Sequence, residues 1–186
     1  MTGLFGGAFD PPHDGHVALA HAAVERFGFD PLVVLVVADP GHKRVELDAA
    51  TRLQLAAAAF SEANVELDEH AFTVDTLSEG RWADPMFLIG ADQFVDFPRW
   101  KEPERVLELA RLGVATRPGY PREHLDAVLA ELDRPERVTF FEIPPVDVSS
   151  RDLRRRIAAG EPLEGLVPAA VAALLEGRGL YRRVTG

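Results

Sequence analysis

The chain has 186 residues, a formal charge of −10 at neutral pH and no cysteine. The length suits one domain with a sizeable core. The acidic balance argues against non-specific nucleic-acid binding, and the missing cysteine excludes disulfides, thiol catalysis and cysteine-ligated zinc, and fits the cytosol. No apolar run of about 18 residues occurs, so no membrane-spanning helix is expected. The N-terminus lacks the basic-then-apolar plan of a signal peptide.

In chain order, residues 2–5 read as a short strand. Residues 15–27 read as a helix with Val17, Ala20 and Val24 on its inner stripe. "LVVLVVA", residues 32–38, is a continuous β-branched run, the mark of a strand buried on both faces. Residues 48–60 form a helix with Leu53, Ala56, Ala57 and Phe60 inside, and residues 86–89 form another buried strand. A helix over 103–110 starts on a proline, whose missing N–H costs nothing in a first turn. A strand over 112–116, a helix over 122–132 and a strand over 138–142 follow, then helices over 150–159 and 168–176.

This alternation predicts an α/β fold: a Rossmann-like, doubly wound, mainly parallel sheet with helices on both faces. Residues 1–186 read as one domain, its C-terminal helical part running over about 149–186. Leu174, Leu175 and Leu180 either pack inward or form a partner surface, so a homo-oligomer stays open. In such folds ligands bind beyond the carboxyl ends of the strands, where the strand order reverses.

The stretch "GLFGGAFDPPHDGH", from Gly3 to His16, lies at such a strand end. Gly6 and Gly7 let the backbone approach a bulky anion. Asp10, Pro11 and Pro12 stiffen the turn. The following helix N-terminus attracts phosphate through its free N–H groups and its dipole, and His13 and His16 would sit beside that phosphate. By spacing alone, the stretch reads equally as a Gly/Pro turn capped by Asp14 with solvent-facing histidines. His13 and His16 have no third ligand nearby, so no metal site is expected. His21, His70 and His124 read as surface residues.

"GGAFDPPHDGH" resembles the H-x-G-H signature of the nucleotidyltransferase superfamily. Further segments resemble those of nicotinate-mononucleotide adenylyltransferases: "DPGHKR" at 39–44, "FTVDTL" at 72–77, "FLIGADQFVDFPRW" at 87–100, "RPGY" at 117–120 and "GLVPAAVAALLEGRGLY" at 165–181. The matches run in order along nearly the whole chain. The family's I-S-S-T-x-x-R signature appears as "VSSRDLR" at 148–154, with Arg151 in the threonine position. By itself, Ser149 followed by Asp152 is also an ordinary helix-capping pair.

The resemblance implies transfer of an adenylyl group from ATP to nicotinate mononucleotide, giving deamido-NAD and pyrophosphate in NAD biosynthesis. His13, His16, Lys43 and Arg154 would be the catalytic groups. Gly6, Gly7, Ala8, Phe9, Asp10 and His16, with Gly90, Asp92, Ser149, Ser150 and Arg154, would bind ATP. Lys43, Thr73, Asp75, Thr76, Trp100 and Arg117 would bind the mononucleotide, with Trp100 stacked on the pyridine ring. Mg²⁺ would bridge the phosphates and take few protein ligands, with Asp10 as an outer-shell partner. A second reading keeps the ATP site with another acceptor, nicotinamide mononucleotide or phosphopantetheine. A third, motivated by Arg151, is a nucleotide-binding module with weak activity.

Overall fold

The computed structural model describes residues 1–41 and 44–182. His42 and Lys43 lie outside the described residues, so the reading of Lys43 as a phosphate ligand has no structural counterpart. Strands β1 (Gly3–Gly7), β2 (Leu32–Val37), β3 (Asn64–Asp68), β4 (Met86–Gly90), β5 (Arg111–Thr116) and β6 (Val138–Glu142) form one sheet. Their order is β3-β2-β1-β4-β5-β6, and every pairing is parallel. The helices are α1 (Asp14–Phe27), α2 (Ala49–Ala59), α3 (Thr73–Ser78), α4 (Ala91–Asp96), α5 (Pro103–Leu109), α6 (Arg122–Glu131), α7 (Ser150–Ala159) and α8 (Ala169–Gly177). A 3₁₀ turn, Phe97–Arg99, joins α4 to the segment before α5.

Strand alternation explains the two-sided core. Leu4, Val33, Leu35, Phe87, Ile89, Leu112 and Val114 face α3, α4, α5 and α6. Their neighbours Phe5, Val34, Val36 and Leu88 face α1 and α2. Each such side chain, fully buried, stabilises by about 1.5–3 kcal/mol relative to exposure. A third cluster joins Leu55 of α2 to Leu153 and Ile157 of α7 and to Val171 and Leu175 of α8. The C-terminal helices thus dock on the outside of α2, with Leu175 buried and Leu174 and Leu180 packed against it.

The helical stripes differ from those read in the sequence. In α1 the buried residues are Leu19, Ala20 and Ala23, while Val24 is exposed. In α2 they are Arg52, Leu55 and Ala56, and Ala57 is exposed. In α2 the α7–α8 layer is the cause: it covers a second face of the helix, where Leu55 packs.

β1 and β4 meet at the reversal of strand order. They pair only through Gly3–Met86, Leu4–Phe87 and Phe5–Leu88, whereas β1 and β2 stay paired through Gly7–Val36. Beyond Phe5 and Leu88 the two central strands part. The crevice that this opens holds the site.

Candidate active site

The first turn is built around Gly6, Gly7 and Phe9. A Cβ on Gly6 would lie 2.8 Å from the Phe87 ring, and one on Gly7 would lie 2.9 Å from the Phe9 ring. Only glycine lets the strand tip run this close to its neighbours. Phe9 sits in left-handed backbone at φ 49°, a strain of roughly 1–3 kcal/mol. Its ring packs edge-on against Phe5 and Phe60, each at 5.4 Å, which holds it there.

Asp10 is 2% exposed. Its carboxylate accepts the backbone N–H groups of Glu46 at 2.7 Å and Leu47 at 3.3 Å, and the phenol of Tyr181 at 2.6 Å. These three donors hold the Asp10 carboxylate in place beneath the first turn.

His13, not Asp14, is the N-cap of α1. It is 8% exposed, and its Nδ1 is buried with no hydrogen-bond partner among the described residues. A Cβ on Gly15 would lie 3.1 Å from that nitrogen, so the glycine between the two histidines leaves room for the first one. The rings of His13 and His16 stack with centroids 3.6 Å apart and planes 22° apart, and Phe9 closes on His16 edge-on at 5.2 Å. Burial, assisted by the positive charge of Arg117, lowers the His13 pKa to about 4. His13 is therefore neutral at pH 7, and stacking two cations at this spacing is avoided. The Nδ1 of His16 accepts the His13 backbone N–H at 3.3 Å. A neutral His16 then carries its proton on Nε2, as a donor.

Helix α7 forms the second wall. Ser149 caps it, its hydroxyl accepting the Asp152 N–H at 3.1 Å. The Ser150 hydroxyl donates to the Pro11 carbonyl at 2.8 Å, and Arg154 donates to the Asp10 carbonyl at 2.7 Å and to Glu46 at 3.0 Å. Arg154 thus ties α7 to the first turn. Beside it a cavity of about 560 Å³ is lined by Glu46, Arg151, Arg154, Arg155 and Tyr181. Arg155 and Arg156 pair with Asp152 and Glu161 on the outer side of the helix.

The third wall belongs to α3, α4 and the 3₁₀ turn. A cavity of about 590 Å³ runs from Gly6, Gly7 and Ala8 to Phe72, Thr73, Asp92 and Trp100. Trp100 is held edge-on by Phe97 at 5.3 Å and Phe87 at 6.4 Å. Gly90 caps α4 with open space beside it. Asp92 accepts the Tyr120 phenol at 3.2 Å. Asp75 is spent on Lys101, at 2.8 and 2.9 Å. Thr76 is 2% exposed and donates to Asp68 at 2.7 Å, so it supports the cavity from beneath. Arg117 lies outside this cavity's lining, and its charge acts on His13 instead.

Several lining residues went unread in the sequence. His70 is not a plain surface residue: it lines the cavity and bonds Asp68 at 3.3 Å. Asp68, Gln93, Arg99 and Lys101 also line it. Asp68 and His70 mark the end of β3, a strand the sequence pattern did not show; Gln93, Arg99 and Lys101 lie in and just after the short α4 and the 3₁₀ turn.

Comparison with known proteins gives the same result over the whole chain. The cytidylyltransferase-like family model matches residues 4–156. A protein of Thermus thermophilus named "Probable nicotinate-nucleotide adenylyltransferase" is 38% identical over 192 residues, covering 97% of this chain and 98% of that one. Two solved structures of a Plasmodium falciparum nicotinic acid mononucleotide adenylyltransferase share the fold at 15% identity, each covering 97% of this chain and 96% of that one. The complex with NaAD has a TM-score of 0.78, and the complex with APC has 0.75. The chain belongs to the cytidylyltransferase-like family and, within it, to the nicotinate-nucleotide adenylyltransferases.

Proposed function

We propose that this protein joins ATP and nicotinate mononucleotide to give deamido-NAD and pyrophosphate. One observation carries the reading. Gly6, Gly7 and Ala8 form both the turn into the stacked His13–His16 pair and one end of the cavity that holds Trp100. A phosphate-seeking donor pair and an aromatic-walled cavity therefore meet at one strand tip. The relative from Thermus thermophilus, named for this activity, adds support over the full length.

The chemistry asks little of a general base. A phosphate monoester has a second pKa of about 6, so the mononucleotide's 5′-phosphate is mostly dianionic at neutral pH. One of its oxygens attacks the α-phosphorus of ATP in line. The new P–O bond forms as the bond from the α-phosphorus to the bridging oxygen breaks, and the electron pair leaves on pyrophosphate. What the protein supplies is alignment and donors aimed at the developing charge. His16, donating from Nε2, stabilises the α-phosphate oxygens. His13, stacked on His16, is a second phosphate ligand. The N-termini of α1 and α7 face the phosphates, and Lys43 is a further phosphate ligand. Mg²⁺ fits as a passenger of the nucleotide, because the histidines, arginines and backbone N–H groups here suit oxyanions. It would supply charge neutralisation between the phosphates. Trp100 stacks on the pyridine ring, with Thr73 and Asp92 along the same cavity. The cysteine-free sequence supports a cytosolic setting, and among the described residues no helix is long and apolar enough to cross a membrane.

The test supplies ATP and Mg²⁺ with nicotinate mononucleotide, nicotinamide mononucleotide or phosphopantetheine, one at a time, and quantifies pyrophosphate and adenylylated product. Preference for the first is expected. Preference for another acceptor keeps the phosphate site and overturns the reading of Trp100. No turnover with any, from protein that binds ATP, overturns the enzymatic reading.

A further inference from the structure

Arg52, on the first turns of α2, is 1% exposed, among the largest fully buried side chains. Among the described residues it donates only to backbone carbonyls. Nη1 bonds Ala8 and Val37, both at 2.8 Å, Nη2 bonds Ala38 at 2.7 Å, and Nε bonds Leu47 at 3.1 Å. These four carbonyls come from three segments: the tip of β1, the end of β2, and the segment leading into α2. Ala8 and Val37 also line the Trp100-bearing cavity. Arg52 therefore grips part of that cavity's wall from behind.

Asp10 completes the arrangement. Its carboxylate takes the N–H groups of Glu46 and Leu47, while Arg52 takes the carbonyls of Leu47 and Ala8. A closed ring of bonds thus runs from Ala8 through Arg52 and Leu47 to Asp10. A buried cation is costly, and well-packed apolar residues often serve stability as well or better. The planar guanidinium offers what an apolar residue cannot, five N–H groups in a rigid fork. It ties two strand ends to the segment leading into α2.

We propose that Arg52 is a positioning residue for adenylyl transfer, setting the backbone of Ala8, Val37 and Leu47 so that the two bound substrates meet in line. The proposal rests on the adenylyl-transfer reading above. Arg52 touches neither substrate and acts through these carbonyls. Arg52→Lys keeps the charge and loses the fork; Arg52→Met loses both. At saturating ATP and nicotinate mononucleotide, well below the melting temperature, kcat of folded Arg52→Lys should fall about ten- to a hundredfold, the scale of a misalignment near 1 Å. The KM for ATP should move less than about threefold, because the phosphate donors stay in place. Arg52→Met should lose more, so that lysine counts as a partial rescue. A purely structural role would lower the melting temperature and leave kcat within twofold of wild type, and that result overturns the proposal. Should Arg52→Met not fold, Arg52→Lys alone decides it. Should the wild type turn over no nicotinate mononucleotide, the functional reading fails by itself. Amide exchange then decides the placement of the backbone: at least tenfold faster exchange of the Glu46 and Leu47 amides in Arg52→Lys upholds it, and unchanged exchange overturns it.

Discussion

The phenol of Tyr181 donates to the carboxylate of Asp10 at 2.6 Å, joining residues 171 positions apart. The bond closes the first turn from the C-terminal side, after α8 has packed against α2. Burial, and then the bond to Asp10, push the phenol's pKa upward, so Tyr181 stays protonated and remains a donor. Tyr181→Phe leaves a buried carboxylate short of one donor. Stability should drop by about 1–3 kcal/mol, the cost of an unmet buried acceptor. Urea unfolding measures it, and an unchanged midpoint would mean that the phenol contributes nothing to holding Asp10.

His13 gives a pH signature. Its pKa falls from 6.5 unfolded to about 4 folded. Above pH 6.5 the ring is neutral in both states and costs nothing. As pH falls from 6.5 to about 4, the unfolded chain takes up a proton that the folded one refuses, and stability is lost over that window. The loss saturates at about 3 kcal/mol. The difference in unfolding free energy between wild type and His13→Asn, followed from pH 7 to 4, should show this window. A flat difference would place the folded pKa near 6.5.

Removing His16 tests the donor at the reacting phosphate. His16→Ala should lower kcat by about 10²–10³, the usual cost of losing one donor to developing charge. Its circular dichroism should match wild type, since the ring is only partly buried at the crevice. An unchanged rate would remove His16 from the mechanism.

Trp100 separates acceptor binding from phosphate chemistry. Trp100→Ala should raise the KM for the mononucleotide about three- to tenfold, the value of one aromatic stack. The KM for ATP should hold. Equal rises in both constants would identify Trp100 as support for the whole crevice through Phe97 and Phe87.

Arg151 lines the basic cavity and is exposed, and no ion pair within the described residues claims it. Arg151→Thr restores the residue of the family signature. An exposed charge contributes less than about 1 kcal/mol, so the KM for ATP should rise about two- to threefold. An unaltered KM would show that Arg151 is no phosphate ligand.

Strands buried on both faces were legible because their apolar runs are continuous, as in Leu32–Val37 and Met86–Gly90. The edge strand Asn64–Asp68 was not, since it pairs on one side only and carries Glu66 and Asp68. Helices α3 and α4 have six residues each, too few to display a period. The histidine pair was legible from its motif. The commitment of Asp75, Thr76 and Arg154 to protein partners was not, because those partners lie 26, 8 and 144 residues away. Arg52 was invisible for another reason: a charge inside a helical stripe counts against burial until its four carbonyls are seen.

The position of β1 has a consequence for assembly. The strand nearest the start of the sequence lies in the middle of the sheet, with β2 on one edge and β4 on the other. During folding it can zip to β2 early, yet its second edge waits for Met86–Leu88. Such non-local pairing is slow, because loop closure must be met before contacts reward it. Until β4 docks, that edge is a row of unsatisfied N–H and C=O groups open to other chains. The crevice exists only once β4 has docked on β1, so nucleotide binding is expected to arise in the same step that shields this edge.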